Sequence, residues 1–152
     1  MNPQLKAVVA INAVSASNAG TATSSVIDTL GYDWATIDVW ATTQSASTQA
    51  GSPSILKLQE SDNTTATNFV DVVGFRGGSA TATNVDFVVG IGRTAGINNY
   101  KLNVDCRARK RYLSVVVSPT TTQTFYGLAN LGKGENAPID ATKAGVLSLI
   151  DG

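Results

Sequence analysis

Two segments of the chain alternate strictly between apolar and polar residues. In residues 34–42 the odd positions carry small or branched apolar side chains, whereas the even positions are polar except for Trp34 and Trp40. Residues 54–60 alternate again, with two leucines on one face and a lysine and a glutamine on the other. Because successive side chains of a strand point to opposite faces, both segments are predicted to be strands of a half-buried antiparallel sheet. The same alternation places both tryptophans on the outer face of that sheet.

Short runs rich in β-branched and aromatic residues recur along the chain between small polar loops. They predict strands at 6–13, 24–29, 34–42, 54–61, 69–73, 85–91, 100–107, 112–118 and 124–131. Most connections are too short for crossover helices, so the sheets should be antiparallel. The predicted fold is therefore an all-β, antiparallel, jelly-roll-like β-sandwich of about eight to nine strands.

The chain is predicted to form a single sandwich domain over residues 1–152, whose N- and C-terminal segments can extend as arms. Residues 141–150 are compatible with a short terminal helix capped by Asp140 or with a last strand, and the pattern slightly favours a strand or an extended tail. The three valines at 115–117 predict a central strand that is buried on both faces.

The charge balance argues against long-range electrostatic attraction. Eleven basic residues balance eleven acidic ones, and only 14% of the residues are charged, against a usual figure of about 25%. We therefore expect no nucleic-acid partner and no membrane partner, and there is no run of about 18 apolar residues that would span a bilayer. Low net charge also gives little repulsion between copies, which suits a protein that works in an assembly.

The residue types also restrict the available chemistry. The chain has no histidine and one cysteine, Cys106, so a zinc site, a disulfide within the chain and the usual activated nucleophiles are not expected. Cys106 is interpreted as a small buried apolar residue. We expect no metal, no cofactor and no enzymatic activity. A carboxylate pair brought together across the sandwich for glycoside hydrolysis remains the enzymatic alternative.

The densest charge in the chain is the basic segment 107–111, which Tyr112 follows directly. Its cations and this tyrosine are candidate interface residues: Arg107, Arg109, Lys110, Arg111 and Tyr112. One interpretation is phosphate neutralisation in nucleic-acid binding. The other, favoured by the zero net charge, is a turn whose arginines pair with carboxylates locally or on a partner subunit.

Trp34 and Trp40 are the remaining candidate site residues. A tryptophan on the polar face of a strand can anchor an interface. It can instead be covered by another part of the same chain, or it can stack on a sugar ring. Interface anchoring is the favoured interpretation.

Three runs together resemble a known group of proteins. They are residues 26–40, residues 56–62, and residues 100–105 leading into 110–117. They are similar in pattern to the small β-rich structural proteins of tailed-bacteriophage virions, most of all the capsid decoration (cement) proteins, and the similarity covers roughly residues 24–118. The resemblance implies a jelly-roll-like sandwich on the capsid exterior, often a trimer at local threefold positions, that bridges neighbouring capsomers.

The expectation from the sequence is a non-enzymatic virion structural protein. The resemblance implies that its partners are the major capsid protein and further copies of itself, with a homotrimer favoured, and that it joins the capsid during assembly in the host cytoplasm. Tail, head–tail and fibre proteins share such sandwiches. The alternative is therefore a carbohydrate-binding or fibre-type receptor-binding module of a virion, in which Trp34 or Trp40 stacks on sugars.

Overall fold

The computed structural model describes residues 4–17, 19–42, 53–78, 83–89 and 97–133. Its strands are β1 (Gln4–Ala16), β2 (Ala22–Thr23), β3 (Ile27–Asp28), β4 (Trp34–Ala41), β5 (Ile55–Ser61), β6 (Val70–Gly78), β7 (Phe87–Val88), β8 (Asn98–Asp105), β9 (Tyr112–Ser118) and β10 (Gln123–Lys133). Two short 3-10 helices cover Ala66–Asn68 and Cys106–Ala108. The predicted all-β class is confirmed. The described residues include no helix long and apolar enough to cross a bilayer.

The strands form two sheets that pack face to face. One is four-stranded, in the order β1-β10-β4-β8, and the other runs β2-β9-β5-β6-β7, with β3 pairing β9 beside β2. All pairs are antiparallel except β6 with β7. If β2 and β3 count as one broken strand and β7 is set aside, the strand order is that of a jelly roll built from two Greek keys. The first, eighth, third and sixth strands then form one sheet, and the second, seventh, fourth and fifth form the other.

The strand predicted at 24–29 is interrupted, and Ser24 explains why. The Ser24 hydroxyl accepts the N–H of Val115 at 2.9 Å, so a side chain replaces a backbone acceptor of the ladder. The next residue, Ser25, donates its N–H to the Ala10 carbonyl of β1 at 2.7 Å. The segment therefore leaves β9 after Ser24, contacts the edge of β1 through Ser25, and returns to β9 at Ile27. Serine side chains compete with backbone pairing in this way.

Other strand bounds also differ from the prediction. The strand predicted at 100–107 ends at Asp105, because the Asp105 carboxylate accepts the Arg107 N–H at 3.1 Å and starts a 3-10 helix. The strand predicted at 69–73 continues to Gly78, through a bulge between its pairings with Lys57 and Gln59. Of the strand predicted at 85–91, only Phe87–Val88 is assigned, and its last two residues lie outside the described ranges. Residues 141–150 also lie outside them.

Strand β1 is the longest strand of the four-stranded sheet and forms one of its edges. Its pairing with β10 shifts register between Val9 and Ile11 and again between Ile11 and Val14. Ala13, in the second irregularity, has a φ of 52°, which is in the left-handed region. Bulges of this kind bend and twist a strand locally, so the edge is not straight.

The core lies between the two sheets. The largest fully buried side chains are Phe125, Ile11, Ile27, Ile37, Leu56, Leu58, Leu113, Leu131, Val39, Val72, Val104 and Val115. Strand β9 lies between β5 and the β2–β3 segment, and residues 113–118 are all buried. The predicted central strand at 115–117 is thereby confirmed.

Cys106 is a free thiol in the 3-10 helix that follows β8, and it is 6% exposed. Burial, together with the nearby carboxylates of Asp105 and Asp33, raises the pKa of the thiol to about 11. It is therefore protonated at neutral pH and packs as an apolar residue, as predicted.

Alternation along β10 predicts very different costs for two leucines three residues apart. Leu131 is fully buried, whereas Leu128 is half-buried and pairs with Asp38 on the outer face. We expect Leu131→Ala to lower the free energy of unfolding by about 2–5 kcal/mol. Leu128→Ala should cost less than about 1 kcal/mol, since it leaves no internal cavity. Urea unfolding of the two variants checks this, and equal losses would contradict the assigned faces.

Candidate interaction surface

The outer face of the four-stranded sheet carries both tryptophans. We use "outer face" for the side chains of β1, β10, β4 and β8 that point away from the second sheet. In β4 the odd residues are buried, while Trp34 is 49% exposed and Trp40 is half-buried. The predicted orientation of both side chains is confirmed.

Trp34 forms a stack with Arg107 at one end of this face. The guanidinium carbon lies 4.8 Å from the centroid of the Trp34 ring. The same guanidinium donates from Nε and Nη2 to the two oxygens of Asp105, at 2.9 and 2.7 Å, and Asp105 pairs with Trp34 across the strands. A guanidinium held by two bonds has little freedom to leave the ring. Arg107 therefore covers part of the Trp34 ring, and 49% of the residue stays exposed.

Arg111 is held in a similar way. Its Nε and Nη2 donate to the two carboxylate oxygens of Asp28 at 2.9 and 2.7 Å. Its guanidinium carbon also lies 4.8 Å from the centroid of the Tyr112 ring. This arginine ties β9 to β3 at the same end of the sandwich as Trp34 and Arg107.

The remaining cations of the basic segment also have carboxylate partners in the same chain. Lys110 Nζ lies 2.8 Å from Asp62, and its backbone N–H donates to Glu60 at 3.1 Å. Arg109 lies 3.8 Å from Glu60. Of the two interpretations of residues 107–111, the contacts support a turn whose cations pair locally. These pairs are at least partly exposed, so each contributes little to stability.

The paired carboxylates at this end have lowered pKa values. The hydrogen bond from Arg107 lowers the pKa of Asp105 to about 2, helped by the N–H of the same residue. The hydrogen bond from Arg111 likewise lowers the pKa of Asp28, partly opposed by desolvation. Both groups are ionised throughout the neutral range, so the end of the sandwich carries fixed ion pairs.

Trp40 lies at the other end of the outer face, between two hollows. One, of about 400 Å³, is lined by Trp40, Asp38, Ile97 and Asn99. The other, of about 330 Å³, is lined by Trp40, Ala41, Thr42, Ile97 and Tyr126. We call them together the Trp40 groove. Its rim residues are open to solvent, with Ile97 68% and Tyr126 38% exposed.

The candidate site residues therefore form two groups rather than one. Trp34 and the residues 107–112 lie at one end of the sandwich, whereas Trp40 is six residues along β4, about 20 Å away at the usual rise of a strand. Between them the outward side chains of β4 and β8 are polar, with Thr36 bonded to Asn103 at 3.3 Å and Lys101 3.4 Å from Asp38.

Sequence reasoning missed several exposed apolar residues of this face. They are Leu5 and Val9 on β1, Tyr126 on β10, and Ile97 just before β8. The exposure of Tyr126 could have been predicted, because residues 124–131 alternate and Tyr126 stands at a polar position. Leu5 and Val9 belong to a strand that is apolar on both faces, so alternation does not show which residues face outward. No pattern around Ile97 indicates its exposure.

The surface offers aromatic stacking and apolar contact. The described residues include no group of three or more His, Cys, Asp or Glu side chains that could hold a metal ion.

No protein-family model matches the chain, and the curated proteins contain no significant match to it.

The Arg107–Asp105 pair predicts a specific response to pH. A carboxylate whose pKa is lower in the folded state than in the unfolded state stabilises the fold at any pH above the unfolded-state pKa. For Asp105 this stabilisation is lost as the pH falls from about 4 towards 2. In Arg107→Gln the Asp105 pKa should return towards its ordinary value, because its main hydrogen-bond donor is gone. Carboxyl ¹³C titration by NMR measures the Asp105 midpoint in the natural chain and in the variant.

Arg111→Gln is the matched control for this titration. It removes the corresponding pair with Asp28 and should leave the Asp105 midpoint unchanged, because Arg111 does not contribute to it. An unchanged Asp105 midpoint in Arg107→Gln would show that the pair is not formed in solution.

Proposed function

We propose that the protein is a non-enzymatic structural protein of a phage virion, a capsid decoration protein that bridges and stabilises neighbouring capsid subunits. The observation that carries this proposal is the outer face of the four-stranded sheet, where aromatic and aliphatic side chains at both ends are exposed. A contiguous exposed apolar patch marks an interaction surface, and Trp40, Ile97 and Tyr126 line one hollow of this face together. The jelly-roll topology supports the proposal by analogy only, since viral capsid domains are among the proteins that use it.

The proposed partners are the major capsid protein and further copies of this chain, with a homotrimer favoured. Burial of the Trp40 groove would supply the apolar contact, and the exposed part of the Trp34 ring would supply a second aromatic contact. A specific contact of standard size buries about 1,600 Å². Repetition around a shell multiplies such contacts through avidity, so each one can be modest.

The proposed location is the capsid exterior, reached during assembly in the host cytoplasm. Quantitative mass spectrometry of purified virions tests it. We expect the chain in a fixed ratio to the major capsid protein, and mild denaturation should release it before the shell opens. Absence from purified particles, or a copy number of only a few per particle, would exclude a decoration role.

Trp40→Ala should weaken association more than folding, because the half-buried ring stands on the outer face and not in the core. We expect self-association or capsid binding to weaken about tenfold or more, as for an interface anchor. The melting temperature should change by no more than about 2 °C, as for a loss near 0.5 kcal/mol. Sedimentation and thermal unfolding of the same samples measure both quantities.

Val73→Ser is the control for this experiment. Val73 is 75% exposed on the second sheet, so its substitution should change neither the association nor the melting temperature. Collapse of the Trp40→Ala fold with unchanged association would contradict the proposal.

A second candidate function is carbohydrate binding by a virion module, which the composition of the Trp40 groove favours. The ring there is flanked by a carboxylate and an amide, Asp38 and Asn99, which can bond to sugar hydroxyls. Glycan-array binding that Trp40→Ala abolishes without changing the oligomeric state would favour this candidate. Binding of no glycan, together with capsid binding, would exclude it.

A further inference from the structure

The two sheets have unequal widths, and a cleft opens where the narrower one ends. Among the described residues, the four strands β1, β10, β4 and β8 face five strand positions, which are β2 with β3, β9, β5, β6 and β7. The Ser25 N–H donates to the Ala10 carbonyl, so the two sheets are aligned at the β1 side. At the other side β7 extends past β8, and a space of about 320 Å³ lies between β8 and the strands β6 and β7. We call it the β8 cleft.

The β8 cleft combines apolar walls with the edge of a sheet. Phe75, Phe87 and Val88 line it from the second sheet, and Leu102 lines it from β8. Among the described strands, β8 is bonded to β4 alone, and this pairing runs without a register shift. In an antiparallel edge strand every second residue points its N–H and C=O away from the neighbouring strand. An edge of this kind beside an apolar hollow is suited to binding an added strand.

The chain contains an apolar segment beyond its last described strand. Residues 145–150 read Gly-Val-Leu-Ser-Leu-Ile and belong to the segment for which the pattern slightly favours a strand or an extended tail. They lie outside the described ranges. Leu147 and Leu149 flank Ser148, so in a strand the two leucines share one face and the serine lies on the other. The pattern is that of a strand with one buried face.

The path of β10 leads this segment to the end of β8 at which an antiparallel strand would begin. Gly132 pairs with Trp34, and Trp34 pairs with Asp105, so β10 and β8 end at the same level of the sheet. The position on the far side of β8 lies three strand spacings from β10, about 14 Å away. Residues 134–144 can span up to about 36 Å when extended, which is more than sufficient. A chain that enters there and continues towards Asn98 runs antiparallel to β8.

We propose that residues 145–150 bind the β8 edge of their own chain as an antiparallel strand. In this arrangement Leu147 and Leu149 enter the β8 cleft. Ser148 then points outward with the exposed polar side chains of β8: Asn99, Lys101 and Asn103. The short connection gives the segment a high effective concentration at its own edge, which favours this edge over that of a second copy. The contact does not depend on the virion role.

A pair of introduced cysteines tests the pairing in the full chain. Ser148→Cys is combined in turn with Asn99→Cys, Lys101→Cys or Asn103→Cys, since opposed residues of paired strands are close enough for a disulfide. We expect one pair to form a disulfide within the chain at least tenfold faster than Ser148→Cys with Ala7→Cys, a position at the opposite edge of the sheet. Cys106 should not compete, because it is buried and its pKa is raised to about 11. Non-reducing electrophoresis and peptide mass spectrometry measure the rates.

Two charged variants of the fastest pair test whether the leucines enter the cleft. Leu147→Asp with Leu149→Asp should slow the disulfide at least tenfold, because ionised carboxylates do not enter an apolar space. Ala141→Asp with Ala144→Asp adds the same charge outside residues 145–150 and should leave the rate unchanged. Equal rates for the Ala7 pair and all three β8 pairs, a disulfide that forms only between chains, or no effect of the two leucine substitutions would overturn the proposal.

Discussion

The period of two along β4 is the constraint on which the rest of the molecule depends. This strand lies between β10 and β8, so its buried residues Ile37 and Val39 fix one face of the sheet against the core. The even-numbered residues of β4 then have to face outward, and Trp34 and Trp40 are among them. A shift of one residue would exchange the two faces, so the core and the proposed contact surface are specified by the same register.

Much of the fold could be predicted from local patterns, because most strands alternate or run as short apolar segments. The prediction failed where a side chain or a distant ring decides the backbone. Ser24 interrupts a predicted strand by accepting a backbone N–H, and no local pattern reveals that choice. The strand predicted at 69–73 continues to Gly78, and no local pattern shows that the Phe87 ring packs against Gly77 there.

The candidate site was predicted in part. Alternation was sufficient to place both tryptophans on the outer face, since it depends only on neighbours in sequence. The stack of Arg107 on Trp34 joins residues far apart in the chain, and pairing of the strands that carry Trp34 and Asp105 creates it. The Trp40 groove also needs tertiary structure, because its walls come from residues on either side of β4. Local pairing of the cations of residues 107–111 with carboxylates was one of the two interpretations drawn from the sequence. The structure identifies the carboxylates that pair with Arg109, Lys110 and Arg111 as Glu60, Asp62 and Asp28.

The edge strand β1 has a further consequence for behaviour at high concentration. A long exposed edge with free backbone groups is a template on which another molecule can add a strand. Here two irregularities break the register, and Ser25 already occupies the Ala10 carbonyl. The free groups of this edge therefore do not form a continuous straight row. Crowded copies should meet through side chains rather than extend one another's sheets into fibres.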